Sequence, residues 1–476
     1  MHRVLLILSA FLAVAIVGAG GASAAVHLDH SYGKNGVVKL PGKKVPGQTA
    51  REAVAIEPDG GLILATNRTL QRLDPAGRLD RGFGAAGTVT PPAVNGGKFA
   101  ISGVAVDGQG RIVVVGTSTP PQPPGKELPF HLNWTIAQPY EAAHTDVRIL
   151  RYLAHGRLDP SFGRHGIVET DFGLPTPEYE GVKLASAPAV EATGVAIDGA
   201  GRIVITGGAA ERVVSDCFHD DYFPTISYAS FIGRLSEAGT VDTSFGRGGV
   251  FGGRSTTENP LAMEDAAEPV ITQGGGIVFG RGGGHCARGA GSLGYVWLTS
   301  AGTVRGSGEQ DSLGGRVFGL AAAPDGSVFL LLGPTKGDRE GPGAIVKLRP
   351  DGTPDPAFGR AGKVILRLPG QSYANQVRAA ADGEVLIEGT KVPRYRHGER
   401  EAKWWSRFSI MLIGLTADGA RDTTFGPHGI FVRHVPHWYE NGGFWLDANG
   451  LPTVTVGYRR AGGPTGLAAV RFASGH

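Results

Sequence analysis

The chain has 476 residues, with 46 Lys or Arg against 43 Asp or Glu, a formal net charge of +3. Near-neutrality at this length excludes a strongly basic nucleic-acid surface and an acidic disordered tail. Glycine (77) and proline (31) make up almost a quarter of the chain, about twice their usual share of ~12%, which excludes a helical bundle or a coiled coil.

In chain order the first element is a leader. Met1, His2 and Arg3 give a short positive start, Val4 to Val17 form an apolar run, and Ala22-Ser23-Ala24 has the form of a cleavage site. This pattern predicts a secretory signal peptide over residues 1–24 and a single mature domain over 25–476. The apolar run is too short to cross ~30 Å of hydrocarbon, and no later stretch is long enough, so no transmembrane anchor is expected. No cysteine follows the run to take a lipid. The expected location is extracellular.

A phrase then recurs along the chain. It runs Leu28-Asp-His-Ser-Tyr32-Gly33-Lys-Asn-Gly36, and returns as Leu79-Asp-Arg-Gly-Phe83-Gly84-Ala-Ala-Gly87 and Leu158-Asp-Pro-Ser-Phe162-Gly163-Arg-His-Gly166. Further copies centre on Phe245, Phe358 and Phe425. The interval from Phe245 to Phe358 has room for two units, and a worn copy, Thr303-Val-Arg-Gly-Ser-Gly308, lies inside it without the Asp and the aromatic. That makes seven units. Within the phrase, Asp suits an Asx-turn, the aromatic suits burial and the glycines suit positive φ. A calcium loop needs several carboxylates at alternate positions, and each unit offers one.

Each unit also holds two β-branched runs joined at an Asp-Gly, as in Gly103-Val-Ala-Val-Asp107-Gly-Gln-Gly110-Arg-Ile-Val-Val-Val-Gly116, which reads as a hairpin. A third strand ends near a cation, as in Gly233-Arg234-Leu235, and a fourth follows the Phe-Gly phrase. Four short strands repeated seven times predict an all-β, seven-bladed β-propeller. The chain opens on a lone fourth strand, Gly36–Leu40, and closes on a third, Leu467–Phe472. Pairing these two completes the last blade and closes the ring without an exposed edge.

The Leu-Asp-x-x-Phe-Gly-x-x-Gly phrase, with Arg-Leu and the Asp-Gly hairpin upstream, resembles the delta-60 repeat of exported bacterial proteins. The resemblance covers nearly all of the mature chain. It implies a propeller-like β fold and supplies no catalytic residue.

Chemistry is expected on the connections between second and third strands, at about 118–145, 209–229, 281–293 and 391–407. They carry Trp134 and Tyr140, then His219, Asp220, Asp221 and Tyr222, then Trp404 and Trp405. Aromatics and mixed charge on long loops suit ligand or protein contact, or a self-packed cap. Cys217 and Cys286 lie in equivalent connections of adjacent blades, and an oxidising compartment favours a disulfide between them. His219, Asp220, Asp221 and His285 lack metal-ligand spacing, so neither a metal nor a cofactor is expected. A second polar-aromatic patch, His434 to Glu440, follows a fourth strand and is expected on the opposite face. The reading is a secreted, non-enzymatic monomer binding an extracellular protein or glycan. The alternative is a propeller hydrolase or lyase with its site at the channel mouth.

Overall fold

The computed structural model of the protein describes residues 24–40, 53–66, 69–94, 97–121, 145–176, 178–179, 182–183, 189–215, 224–252, 269–281, 294–308, 310–333, 343–394, 407–434, 438–459 and 465–475. Two strands, β1 (Ala24–Leu28) and β2 (Val37–Leu40), precede the first complete sheet. Blade 1 is β3 (Ala53–Ile56), β4 (Leu62–Ala65), β5 (Leu70–Leu73) and β6 (Thr88–Val89). Blade 2 is β7 (Lys98–Val106), β8 (Ile112–Thr119), β9 (Asp146–Tyr152) and β10 (Ile167–Thr170). A small hairpin, β11 (Glu178–Tyr179) and β12 (Val182–Lys183), leads to blade 3: β13 (Val190–Ile197), β14 (Ile203–Ser215), β15 (Pro224–Leu235) and β16 (Val250–Gly252). Blade 4 is β17 (Val270–Ile271), β18 (Ile277–Arg281), β19 (Gly294–Leu298) and β20 (Val304–Gly308). Blade 5 is β21 (Val317–Ala322), β22 (Val328–Leu332), β23 (Gly343–Leu348) and β24 (Lys363–Leu366). Blade 6 is β25 (Gln371–Ala379), β26 (Val385–Val392), β27 (Ser409–Leu415) and β28 (Ile430–His434). Blade 7 is β29 (Trp438–Leu446), β30 (Pro452–Arg459) and β31 (Thr465–Gly475), completed by the N-terminal strands.

All seven sheets are antiparallel, and their first strands touch in unbroken succession, from β3 to β7, β13, β17, β21, β25, β29 and back to β3. The first strands therefore line the axis of a seven-bladed propeller. Its core is not one mass but seven apolar clusters, one between each pair of neighbouring blades. A radial sheet is covered on both faces by its neighbours, so second and third strands read as continuous apolar runs, such as Val328–Leu332, buried throughout.

Ring closure uses both ends of the chain. One edge of β31 pairs with β30; the other pairs first with β2, Leu40↔Leu467 to Val37↔Val470, and then with β1, Leu28↔Phe472 and Ala24↔Gly475. The strand Val37–Leu40 is the fourth strand expected from the sequence, and β1 is an addition. It packs Val26 and Leu28 beside Phe425 and Phe472. Blade 7 has no third-to-fourth turn, and β1 covers the blade 6 phrase in its place.

The recurring phrase is a clasp between blades. Asp159 Oδ1 accepts from Ser161 N (3.0 Å) and Ser161 Oγ (2.7 Å), which is the Asx-turn the sequence predicts. Phe162 is fully buried, and Gly163 and Gly166 adopt φ of 49° and 93°. Three contacts then reach blade 3. Gly163 N donates to Ala238 O (2.9 Å), the Phe162 ring lies against Gly239, and Arg151 donates to Glu237 O while its Nε holds Asp159 Oδ2 (2.8 Å). The Arg151 guanidinium sits 4.6 Å from the Phe162 ring centroid, a cation–π contact. The same glycine-to-carbonyl bond recurs as Gly33 to Ala76, Gly84 to His155, Gly246 to Ala301 and Gly359 to Asp418. Burial works against the charge of Asp159, but the Ser161 hydroxyl and amide and the Arg151 guanidinium outweigh it and hold its carboxyl below the usual range.

The worn unit in blade 4 is clasped differently. Trp297 takes the position that Arg234 holds in blade 3 and is fully buried. Arg305, 5.9 Å from the Trp297 ring, donates to Pro350 O of blade 5 (2.6 Å). One indole replaces the volume of a cation and an aromatic together.

Two expectations are corrected here. The connection placed at 209–229 in blade 3 is mostly ladder: β14 and β15 stay paired from Ala210↔Tyr228 to Ser215↔Pro224, forming a long arm. The patch after β28 does not lie opposite the second-to-third connections. His434 pairs with Ser409, the residue that also pairs with Lys391 at the end of β26, and its Nδ1 lies 3.2 Å from Phe408 O. In an antiparallel meander the second-to-third and the outgoing fourth-strand connections leave from the same edge.

Candidate functional site at the mouth of the channel

The two faces of the ring differ sharply. Every first-to-second connection is the same five-residue turn, at Glu57–Gly61, Asp107–Arg111, Asp198–Arg202, Thr272–Gly276, Ala323–Ser327, Ala380–Glu384 and Asp447–Leu451. In each the first N–H donates to the fifth carbonyl, and a positive-φ glycine at the fourth position returns a bond to the first. The six third-to-fourth turns, such as Asp74–Arg78 and Ser236–Thr240, have the same form. This face is uniform and carries the clasps. The opposite face receives all second-to-third connections and all passages from blade to blade. It carries the β14–β15 arm, the β11–β12 hairpin packed on β14, and a helical turn at Gln310–Leu313.

Apart from the shortened third-to-fourth connection of blade 4 and its replacement by β1 in blade 7, length variation is gathered around one mouth of the channel. The sequence-predicted candidates Trp134, Tyr140, Cys217, His219, Asp220, Asp221, Tyr222, Cys286, Trp404 and Trp405 belong to connections that open at this face. All ten lie outside the described residues.

The channel wall near this mouth is built on a repeated irregularity. The first strand carries a bulge in blades 2, 3, 5, 6 and 7, at Ser102, Thr193, Phe318, Asn375 and Gly442–Gly443. Bulges redirect side chains and recur beside binding sites. The polar ones bond back to the second strand. Ser102 Oγ donates to Val115 O (3.4 Å), Thr193 Oγ1 to Thr206 Oγ1 (3.2 Å), and Asn375 Nδ2 to Thr390 Oγ1 (3.0 Å). Gln376 crosses between blades, donating to Gly442 O (2.8 Å) and accepting from Phe444 N (3.1 Å).

Two residues before each bulge, toward the mouth, lies a layer of exposed side chains. Ala100, Glu191, Arg316 and Tyr373 occupy it in blades 2, 3, 5 and 6. The carbonyls of Ala100, Glu191 and Tyr373 lie 2.1, 2.2 and 2.3 Å from where a Cβ would stand on Gly116, Gly207 and Gly389. In blades 2, 3 and 6 the second-strand glycine thus sets the layer's height, because only a missing side chain lets the carbonyl approach so closely, whereas blade 5 has Leu332 at that position. Phe318, 52% exposed, follows Arg316 by two residues and lays one side of its ring on Gly333 at the end of β22, and exposed Lys98 precedes Ala100 by two.

Among the described residues, desolvation raises three carboxyls above the usual range: Glu57, which bonds Arg72 on the uniform face, and Glu191 and Glu388. Glu191 is an exposed residue of β13, and desolvation by the groups around it raises its carboxyl above the usual range with no compensating bond. Glu388 is fully buried in β26, where blades 2, 3 and 5 place Val115, Thr206 and Leu331. Burial pushes it up to about 8, against a bond from Asn375 Nδ2 (3.3 Å), so it is protonated at neutral pH. Glu388 therefore contributes a neutral polar core group behind the wall. The sequence reading passed over it because one carboxylate inside an apolar β-branched run carries no motif. Among the described residues no three His, Cys, Asp or Glu side chains gather as metal ligands, and no helix is long and apolar enough to cross a membrane.

No protein-family model matches the chain, and no curated protein matches it in sequence. Three of the solved structures to which the chain shows similarity are as follows. A virginiamycin B lyase from Staphylococcus aureus is 10% identical, with 91% of this chain and 99% of that one covered and a TM-score of 0.42. A Dyadobacter fermentans protein of unknown function is 12% identical, covering 79% and 95%, at 0.41. A gluconolactonase from Xanthomonas campestris is 12% identical, covering 77% and 91%, at 0.30.

Proposed function

We propose that the protein is a secreted, monomeric propeller of the delta-60 repeat kind that binds an extracellular protein or glycan through its loop face. The observation that carries this reading is the asymmetry of the faces: one is a set of turns of one form, locked by clasps, and the other holds the second-to-third and blade-to-blade connections and the β14–β15 arm. Variable connections on a rigid scaffold are where recognition is placed. The distribution of acids supports binding over turnover. The three raised carboxyls stand in different blades, Glu57 in blade 1, where Arg72 holds it, Glu191 in blade 3 and Glu388 in blade 6, and the phrase aspartates are engaged by clasp cations such as Arg151, Arg234 and Arg471.

The test is an arm-shortened variant. Ala210 and Tyr228 are a registered pair, so residues 211–227 can be replaced by Asn-Gly to close a two-residue hairpin. The variant and the wild type are presented to the source organism's envelope fraction and to a glycan array. The expected result is an unchanged melting transition with loss of the bound partner. Equal capture by both proteins sinks the proposal, as does turnover of an envelope glycan by the wild type.

A further inference from the structure

We infer that the loop-face mouth of the channel is a subsite for an acidic saccharide, a sugar ring bearing a carboxylate, held by Arg316, Tyr373, Phe318 and Glu191. The inference rests on the reading of the chain as a binding propeller and names the ligand class for one part of that face.

The first ground is an unused guanidinium. The clasp arginines each hold an aspartate and a carbonyl of the next blade, as Arg234 does with Asp242 and Ser300. Arg316, the residue before β21 on the first strand of blade 5, is exposed and forms no ion pair or side-chain hydrogen bond among the described residues. A planar guanidinium takes a carboxylate through two parallel N–H···O bonds, and it does so best where walls exclude part of the water.

The second ground is apolar. Tyr373 is 41% and Phe318 52% exposed, and they stand on β25 and β21, first strands of adjacent blades in direct contact. Tyr373 shares its layer with Arg316, and Phe318 lies two residues further along the same strand as Arg316. An aromatic face beside a cation fits a sugar acid: the C–H face of the ring lies on the aromatic carbon, and the carboxylate turns to the guanidinium.

The third ground lies across the channel. Glu191 shares the layer from blade 3 and has no side-chain partner among the described residues, although the wall removes much of its water. A carboxylate so placed is short of donors, and sugar hydroxyls supply them. Lys98 stands one step outward in blade 2, exposed and equally without a side-chain partner among the described residues, and adds a second cation for a longer acidic chain.

Calorimetric titration of the purified mature protein with trigalacturonate tests the inference, with its methyl ester and maltotriose as uncharged comparisons. Trigalacturonate is expected to bind, and the two neutral sugars to bind at least about tenfold more weakly. Arg316→Met and Tyr373→Ala are each expected to weaken trigalacturonate by about tenfold or more. Both side chains are exposed, so a melting scan is expected to match wild type. Absence of trigalacturonate binding overturns the inference. So does equal affinity for the ester, or affinity that Arg316→Met and Tyr373→Ala leave unchanged. If the arm-dependent partner is still captured in those cases, only the channel subsite falls. If the arm proves irrelevant while the titrations behave as expected, the subsite stands and the role given to the arm falls.

Discussion

At the scale of single residues, the clasp turns a side-chain motif into a bond between neighbours. Phe162 is fully buried, stacked under Arg151 and pressed on Gly239 of the next blade. Phe162→Ala is therefore expected to cost about 3–5 kcal/mol, the usual range for truncating a buried Phe; a denaturant midpoint equal to wild type would show the ring to be dispensable. Glu388 predicts a pH dependence. Its native pKa of about 8 lies above the ordinary 4.5, so between those values the native state holds a proton that the unfolded chain has released. The group's contribution is fully present below about pH 4.5 and declines as pH rises, by about 1.4 kcal/mol per unit, until it levels near pH 8. Glu388→Gln is expected to remove that slope, and parallel stability–pH profiles of the two proteins would contradict the assignment. The Asx-turn, the buried aromatic and the positive-φ glycines were legible from residue type alone. The reach of Arg151 into blade 3 was not, because its acceptor is a backbone carbonyl that leaves no mark in the sequence.

At the scale of elements, the strands followed from β-branched runs, and the hairpins from Asp and Gly, but the turn chemistry differed from the simplest reading. The left-handed residue is Gly110 rather than Gly108, with φ of 74°, and Asp107 instead opens the turn and accepts from Gln109 and Arg111. That is a five-residue connection and not a two-residue one. The first-strand bulges were also invisible, since an extra residue shifts register by one and interchanges the faces of everything before it. This is why Glu191, Arg316 and Tyr373 did not stand out as one layer. The second-strand glycine that fixes the layer gives an element-scale prediction. A methyl group on Gly389 would meet the Tyr373 carbonyl at 2.3 Å, and backbone cannot swing aside as a flexible side chain can. Gly389→Ala is expected to push β25 off β26 at a cost of roughly 1–3 kcal/mol and to weaken hydrogen-exchange protection in β25 before that in β27. Unchanged protection along β25 would mean that the carbonyl has room to move.

At the scale of the whole molecule, the question is what keeps seven blades in a ring rather than in an open row. Six junctions join blades that are continuous in the chain. The seventh joins the two ends, and one side chain concentrates its bonds there. Arg471 Nε donates to Asp29 Oδ2 (2.8 Å), and its other nitrogens donate to Gly60 O (3.5 Å) and Pro75 O of blade 1. Its guanidinium also lies 4.2 Å from the Tyr32 ring centroid. Arg234 makes the same kind of clasp between blades 3 and 4, with Asp242, Ser300 and Phe245. The Arg471–Asp29 pair is buried and the Arg234–Asp242 pair partly so, and removing one partner of a buried pair costs about 3–5 kcal/mol. The consequences differ, because blades 3 and 4 remain covalently joined when their clasp fails, whereas β1 and β2 are held to β31 only by non-covalent pairing and packing. Arg471→Met is therefore expected to release the N-terminal strands, with hydrogen exchange accelerating in β1, β2 and β31 well below the global transition. Arg234→Met is expected to lower the midpoint by a similar amount while leaving local protection evenly distributed. If the two variants show the same exchange pattern, closure does not depend on this clasp, and the ladder between β31 and the N-terminal strands suffices by itself.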